Sequence, residues 1–239
     1  MKLLVGIVTY KPNKERLAEC LASVQGQDVH IVDNTENNIG IAAALGQIMD
    51  YAAETGYDWV LTLDQDSIVL PGLIEAYEKA MEPDVGAMTC VIRDRNFEEE
   101  QETGDVDWCI TSGCLMRVDA YRKTAGYDGS LFIDMVDQDI CYSLKEAGYR
   151  IVCVPHVGLL HEVGHGRKTP IGYSYNEPAW RDYYMARNRI IVARKHGKSL
   201  LEVRLKNIRD MGIAALYEDN KMAKIREYAR GWRDGENWR

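Results

Sequence analysis

Trp59-Val60-Leu61-Thr62-Leu63-Asp64-Gln65-Asp66-Ser67 decides how the rest of this chain is read. An apolar run containing Val and Thr reads as a buried strand, and it empties at its C-terminal end into two carboxylates one residue apart. Residues two apart in a strand point to the same side, so Asp64 and Asp66 are expected to face one object beyond the sheet. Two readings stand at this point. One is a divalent cation carrying phosphate, because carboxylate oxygens suit hard ions and ligands of open α/β sheets collect at strand C-termini. The other is an Asp-rich turn or helix cap ahead of Pro71.

The segments before this stretch give it a frame. Leu3 to Tyr10 reads as an opening strand and Lys14 to Gln25 as a helix, with apolar residues at Leu17, Cys20, Leu21 and Val24. Val29 to Val32 is a second strand ending at Asp33, and Ile41 to Thr55 is an alanine-rich helix closed by Gly56. Strand, helix, strand, helix, strand is the pattern of a parallel sheet with right-handed crossovers. Its polar residues, Thr9, Asp33, Asp64 and Asp66, fall at strand C-termini, where a nucleotide would lie. No GxGxxG follows the first strand, and Gly197-Lys198-Ser199 lacks the glycine-rich loop of a P-loop, so neither nucleotide motif is present.

Beyond Pro71 the pattern predicts a helix from Leu73 to Met81, a strand from Val85 to Ile92 and a charged loop from Arg93 to Asp107. Trp108 to Arg117 contains Ser112-Gly113, and a short helix from Asp119 is capped by Gly126. A second acidic cluster, Asp134, Asp137 and Asp139, enters a helix that ends at Gly148. Tyr149 to Val154 reads as a strand, His156 to Lys168 as a glycine- and histidine-rich segment, and Trp180 to Ala193 and Leu200 to Trp232 as helix. His161-Glu162-Val163-Gly164-His165 fits the zinc-protease pattern. That pattern converges on a metal only on a helix, and the glycines and Pro155 around it argue against one.

A chain of 239 residues, 46% hydrophobic, can bury a full core as one domain with a helical appendage. No apolar run approaches the roughly 20 residues of a membrane span, and Met1-Lys2 leads directly into a strand-like run, which predicts a cytoplasmic protein. Six cysteines without a CxxC pair argue for buried thiols over a disulfide scaffold or zinc site. The net charge of -8 argues against nucleic-acid binding, so an anionic ligand would require a metal or local arginines.

The ordered set Thr9-Tyr10, Asp33-Asn34, Asn38-Ile39-Gly40, Asp64-Gln65-Asp66-Ser67, Ser112-Gly113, Phe132 to Asp137, His161 and Tyr183 to Asn188 resembles the inverting family 2 glycosyltransferases of the GT-A fold. The similarity is greatest to their rhamnosyltransferase branch and runs from about Val5 to about His196. It implies an α/β, Rossmann-like, mainly parallel sheet flanked by helices over residues 1–195, with a nucleotide-binding half 1–92, an acceptor half 93–195 and a helical extension 196–239. It also implies roles. Thr9, Tyr10, Asp33, Asn38, Gly40, Asp64 and Arg187 would bind a nucleotide sugar, with Ser112 and Gly113 on the acceptor side. Asp66, Asp64 and His161 would hold Mn2+ or Mg2+, and Asp137 would be the base, with Asp134 and Asp139 as rivals. Two departures stand out: Gly46 replaces the asparagine of the family's second helix, and Val136-Asp137 replaces a Glu-Asp pair.

The implied chemistry is coherent with these residue types. A cation stabilises the leaving diphosphate, and one carboxylate on the opposite face of the sugar accepts the acceptor hydroxyl's proton. The expected donor is dTDP-rhamnose and the expected acceptor a saccharide or lipid-linked glycan of cell-surface polysaccharide. A weak membrane-surface contact would fall on the tail bearing Trp232 and Trp238. The competing readings are a UDP-hexose donor, a nucleotidyltransferase, and a nucleotide-sugar binding module without catalysis.

Overall fold

The opening strand's residues explain where the core forms. The computed structural model describes residues 1–94, 101–161 and 166–238, and divides into two compact units: Met1–Ser130 with Val136–Glu162, and Leu131–Met135 with Val163–Arg239. In the first unit, β1 (Leu3–Thr9) is almost wholly buried and pairs in parallel with β2 (Asp28–Asp33) on one side and β3 (Trp59–Asp64) on the other. Helices α1 (Lys14–Ser23) and α2 (Ile41–Thr55) make the crossovers. Gly6 lets α2 lie directly on β1, since a Cβ there would stand 2.4 Å from Ile48 Cγ2.

The sheet continues past β3 through β4 (Ile68–Val69), β5 (Val85–Asp94), β6 (Gly104–Asp105), β7 (Cys114–Arg117) and β8 (Arg150–His161). Its order is β2-β1-β3-β7-β5-β8-β4, with β6 on β8. The β5·β8 pair is parallel, while β7 runs antiparallel to both β3 and β5. Short helices α3 (Leu73–Ala80) and α4 (Val118–Tyr121) and the longer α5 (Val136–Glu146) complete the unit. All six cysteines are buried free thiols, as expected.

Two expectations change in this unit. The strand expected to stop at Val154 runs on to His161. Pro155 offers no N–H, so the ladder jumps from Cys90↔Val154 to Val91↔Val157 and then resumes. His161 therefore ends a strand and not a helix, while Glu162 to His165 lie outside the described residues. Within the segment expected to be a loop, Arg93 and Asp94 extend β5, and Gly104–Asp105 pairs with β8; residues 95–100 lie outside the description.

The second unit holds the hairpin β9 (Arg167–Thr169) and β10 (Gly172–Ser174) and three helices, α6 (Ala179–Lys195), α7 (Leu200–Tyr217) and α8 (Lys221–Glu236). α6 packs with the tail, because Gly231 and Gly235 bring α8 onto its backbone, where Cβ atoms would lie 2.1 Å from Tyr183 O and 2.8 Å from Arg187 O. The single tail helix is two helices, broken where Asn220 takes a left-handed conformation at φ 50°. Trp232 is half-buried and donates to Glu236 Oε1, while Trp238 is exposed. Among the described residues no helix is long and apolar enough to cross a membrane.

This unit carries a buried acid. Asp182 on α6 has its Oδ2 buried without a hydrogen-bond partner, near the ion pair of Lys224 Nζ with Glu218 Oε2 at 2.6 Å. Burial raises its carboxyl from the usual value near 3.8 to about 7, against the opposing pull of Lys224. The folded state thus holds this proton more tightly than the unfolded chain, and its stability falls as pH rises from about 4 towards 7. Chemical denaturation should show on the order of 2 kcal/mol less stability at pH 8 than at pH 5 from this group, and Asp182→Asn should flatten that difference.

Candidate functional site

Two strand registers build the site. In the β3·β7 pair, Thr62 opposes Cys114, so Ser112 arrives beside Asp64, whose backbone N–H donates to Ser112 Oγ at 3.1 Å. In the β4·β8 pair, Ile68 opposes Leu160, so Ser67 arrives beside His161. Ser67 Oγ lies 2.8 Å from Ser112 Oγ and 2.8 Å from His161 Nδ1. The other imidazole nitrogen, Nε2, stands 3.7 Å from Asp64 Oδ2. Ser67, Ser112 and His161 are all buried.

Asp66 reaches this neighbourhood by a different route from the one expected. Strand alternation ends at Asp64, and a turn closed by Ser67 N–H donating to Asp64 O carries Gln65 and Asp66 around it. Asp66 Oδ2 lies 3.8 Å from Arg16 on α1. Both carboxylates act on Cys20, whose thiol is pushed up to about 12 by burial first and by Asp66 and Asp64 after it. Gln65, on which the sequence reading placed no role, bonds Tyr10 in both directions: its Oε1 accepts from Tyr10 N at 2.8 Å and its Nε2 donates to Tyr10 O at 3.3 Å. Arg16 is also new, and its helical position three residues after the cap Asn13 was the available cue.

At the ends of β1 and β2, Asp33 Oδ1 accepts from Thr9 Oγ1 at 3.0 Å, Thr35 Oγ1 at 2.6 Å and Thr35 N at 2.9 Å. These bonds, led by Thr35, hold the Asp33 carboxyl below the usual range. Asn38 Oδ1 accepts from Gly40 N at 2.9 Å, and buried Asn34 donates to Gly40 O at 3.2 Å, so the Asn38-Gly40 segment is an internally bonded entry to α2. Gly113, at φ 78°, donates to Thr62 O and accepts from Tyr77 OH, which makes its backbone the corner that aims Ser112.

The acidic cluster separates into three environments. Asp137 stands in the first turn of α5 and accepts from Gln138 N at 2.9 Å. Asp139 is buried in the same helix. Asp134 belongs to the second unit, where its buried carboxylate pairs with Arg181 at 3.0 Å; burial raises its pKa, and Arg181 opposes the rise. Phe132, Asp134 and Met135 adopt φ of 65°, 64° and 65°, a costly run for residues with side chains. Buried Asn188 holds it, with Nδ2 donating to Leu131 O at 2.8 Å, Ile133 O at 2.7 Å and Asp134 O at 3.0 Å. Arg187 donates to Asn188 Oδ1 and lies 4.9 Å over the Tyr184 ring, within the same unit.

Among the described residues no three His, Cys, Asp or Glu side chains converge as a metal cage. The donor set nevertheless fits a shared cation: Asp64 and His161 offer one oxygen and one nitrogen 3.7 Å apart, within the reach of two bonds of roughly 2.1 Å, and a diphosphate would supply further oxygens.

The glycosyl transferase family 2 model matches residues 7–133. The dTDP-rhamnosyl transferase RfbF of Shigella flexneri is 23% identical over 244 aligned residues, covering 83% of this chain and 82% of its own. Rhamnosyltransferase WbbL of Escherichia coli K12 is 30% identical over 87 residues, 36% of this chain and 33% of its own. Residues 1–349 of S. aureus TarS superpose with a TM-score of 0.62 at 11% identity over 97% of this chain and 81% of theirs, and the complex with UDP-GlcNAc with 0.60 at 11% over 95% and 79%. A longer TarS chain, of which this chain spans 44%, gives 0.61. At such identity the shared property is the fold, which is GT-A.

Asn188→Ala would strip a donor from the Ile133 and Asp134 carbonyls of a strained segment and one of the donors to Leu131 O, which keeps the Ile133 N–H. Thermal or urea unfolding should show a loss of about 2–3 kcal/mol, well above the cost of an ordinary surface substitution.

Proposed function

We propose, because this chain belongs to glycosyl transferase family 2, that it moves rhamnose from dTDP-rhamnose, with inversion, to a hydroxyl of a saccharide or lipid-linked glycan, using Mn2+ or Mg2+ held at Asp64, Asp66 and His161. The enzyme class follows from the family. The donor sugar rests on the similarity to RfbF, which spans most of both chains. The single observation that carries the mechanism is the meeting of Asp64, Ser67, Ser112 and His161 at the carboxyl end of β3, in the same unit as the Thr9–Asp33 pair.

Asp33 suits a ribose. Its Oδ1 takes the three protein donors, and none of those bonds uses Oδ2, which can accept from a sugar hydroxyl. Tyr10, exposed and fixed through its backbone by Gln65, offers a ring face to the base. Arg16 adds positive charge beside Asp66 in a chain whose net charge of -8 otherwise repels a diphosphate. A cation bound at Asp64 and His161 would supply the charge that stabilises the departing diphosphate.

Asp137 then takes the proton of the acceptor hydroxyl as that oxygen attacks the anomeric carbon. Its rivals are placed less favourably: Asp134 is committed to Arg181, and Asp139 is buried within α5. Arg187 is held over Tyr184 within the second unit, and Ser112 is assigned to the acceptor side as the family resemblance implies.

With Mn2+ present, dTDP-rhamnose at about 100 times its Kd should stabilise the protein by about 2.7 kcal/mol in a thermal-shift titration. A larger shift with UDP-GlcNAc would reassign the donor. In calorimetry, Asp66→Ala should lose the metal-dependent part of dTDP binding, and retention of that part would remove Asp66 from the site. Asp137→Asn should bind dTDP-rhamnose normally yet lose at least about 100-fold in transfer rate. Near-normal turnover would place the base elsewhere.

A further inference from the structure

A chain of hydrogen bonds leads from Asp64 to His161. It starts at the Asp64 backbone N–H, which donates to Ser112 Oγ at 3.1 Å, and passes to Ser67 Oγ at 2.8 Å and to His161 Nδ1 at 2.8 Å; beyond it Nε2 faces the Asp64 carboxylate at 3.7 Å, a distance too long for a direct hydrogen bond. Three of its members, Ser67, Ser112 and His161, have 0%, 1% and 7% of their surface exposed, so their polar atoms depend on one another for partners. Ser67 is the central link, and the family comparison assigns it no role.

A neutral imidazole has one donor and one acceptor nitrogen, and whichever group faces Nδ1 selects between them. A carbonyl or carboxylate there would force Nδ1–H. A hydroxyl can donate or accept, and two hydroxyls in series can reverse together. In one direction Ser112 donates to Ser67, Ser67 donates to Nδ1, and the Nε2–H points its positive end towards the Asp64 carboxylate 3.7 Å away. In the other, Nδ1–H donates to Ser67, Ser67 donates to Ser112, and Nε2 presents a lone pair beside the Asp64 carboxylate.

We propose that Ser67 is a positioning residue whose hydroxyl, relayed by Ser112, holds the His161 ring and lets its proton sit on Nε2 when the site is empty and on Nδ1 when a divalent cation is bound. Only the second half of this statement rests on the metal role proposed above. The geometry explains why a serine, and no fixed acceptor, follows Asp66. With a fixed acceptor at Nδ1, the empty site would set a bare Nε2 lone pair against a carboxylate 3.7 Å away.

Nitrogen NMR of the full chain labelled on its histidine rings reads these bonds directly, with His161 assigned by its disappearance in His161→Gln. Metal-free wild type should show one tautomer, with the proton on Nε2. Ser67→Ala should show a mixture, and Ser67→Thr, which restores a hydroxyl, should return the signal to a single tautomer. Adding Mg2+ with dTDP to the wild type should move the proton to Nδ1. Calorimetry should show Ser67→Ala weakening Mg2+-dependent dTDP binding by about 10-fold or more while binding without Mg2+ stays within about 2-fold, the size expected when a metal-ligating histidine loses its partner. Wild-type ring signals in Ser67→Ala, or a metal-free wild type with its proton on Nδ1, would overturn the proposal. If wild-type dTDP binding ignored Mg2+, the metal role would fall, and the metal-free ring signals would still decide the positioning by Ser67.

Discussion

The structure around the site depends on one constraint: Ser67, Ser112 and His161, gathered at the carboxyl end of β3, are buried and must pair among themselves. β3 is apolar and buried on both faces up to Leu63, then delivers Asp64 into a region bounded by β7 and β8. The registers Thr62↔Cys114 and Ile68↔Leu160 bring Ser112 and Ser67 to that point from opposite directions. Because a slip of one residue would turn every side chain to the other face, the apolar packing that fixes these registers also fixes the hydrogen-bond chain. Precision at Asp64 and His161 is therefore inherited from the core.

The second unit solves a different problem. Residues 131–135 carry three non-glycine left-handed conformations in four positions, and no local preference favours that run. It persists because a single buried amide, Asn188, collects carbonyls from Leu131, Ile133 and Asp134, while Arg181 neutralises the Asp134 carboxylate. The last of these residues is followed at once by α5, whose second residue is Asp137.

Much of this was legible from residue pattern. The alternation of apolar strands and amphipathic helices gave the parallel start of the sheet, with α2 found at the residues the pattern predicts, Ile41–Thr55, and β3 beginning at Trp59 as predicted and ending at Asp64. The family 2 resemblance agrees with the match over residues 7–133. What was not legible depended on distant partners. Pro155 reads locally as a strand terminator, and only pairing with β5 shows that the ladder jumps two residues and goes on to His161. The parity argument for Asp64 and Asp66 assumed a strand through both, whereas a turn intervenes. Likewise Asp134, Asp137 and Asp139 look alike in sequence and differ only in what buries them. Arg181, the residue that separates Asp134 from the others, lies 47 positions away.

The distribution of charge ties these features to the chemistry. An acidic chain is a poor host for a diphosphate unless positive charge is concentrated where the phosphates lie. Beside Asp66 the first unit offers Arg16, and the carboxylates Asp64 and Asp66 would repel such an anion unless a cation joined them. Burial first, and the two carboxylates after it, push the Cys20 thiol up to about 12. A pair of acids at this edge of the sheet is thus unfavourable for an anion by itself. A divalent ion shared between protein and ligand would reverse that repulsion, which is the electrostatic ground of the metal role proposed above.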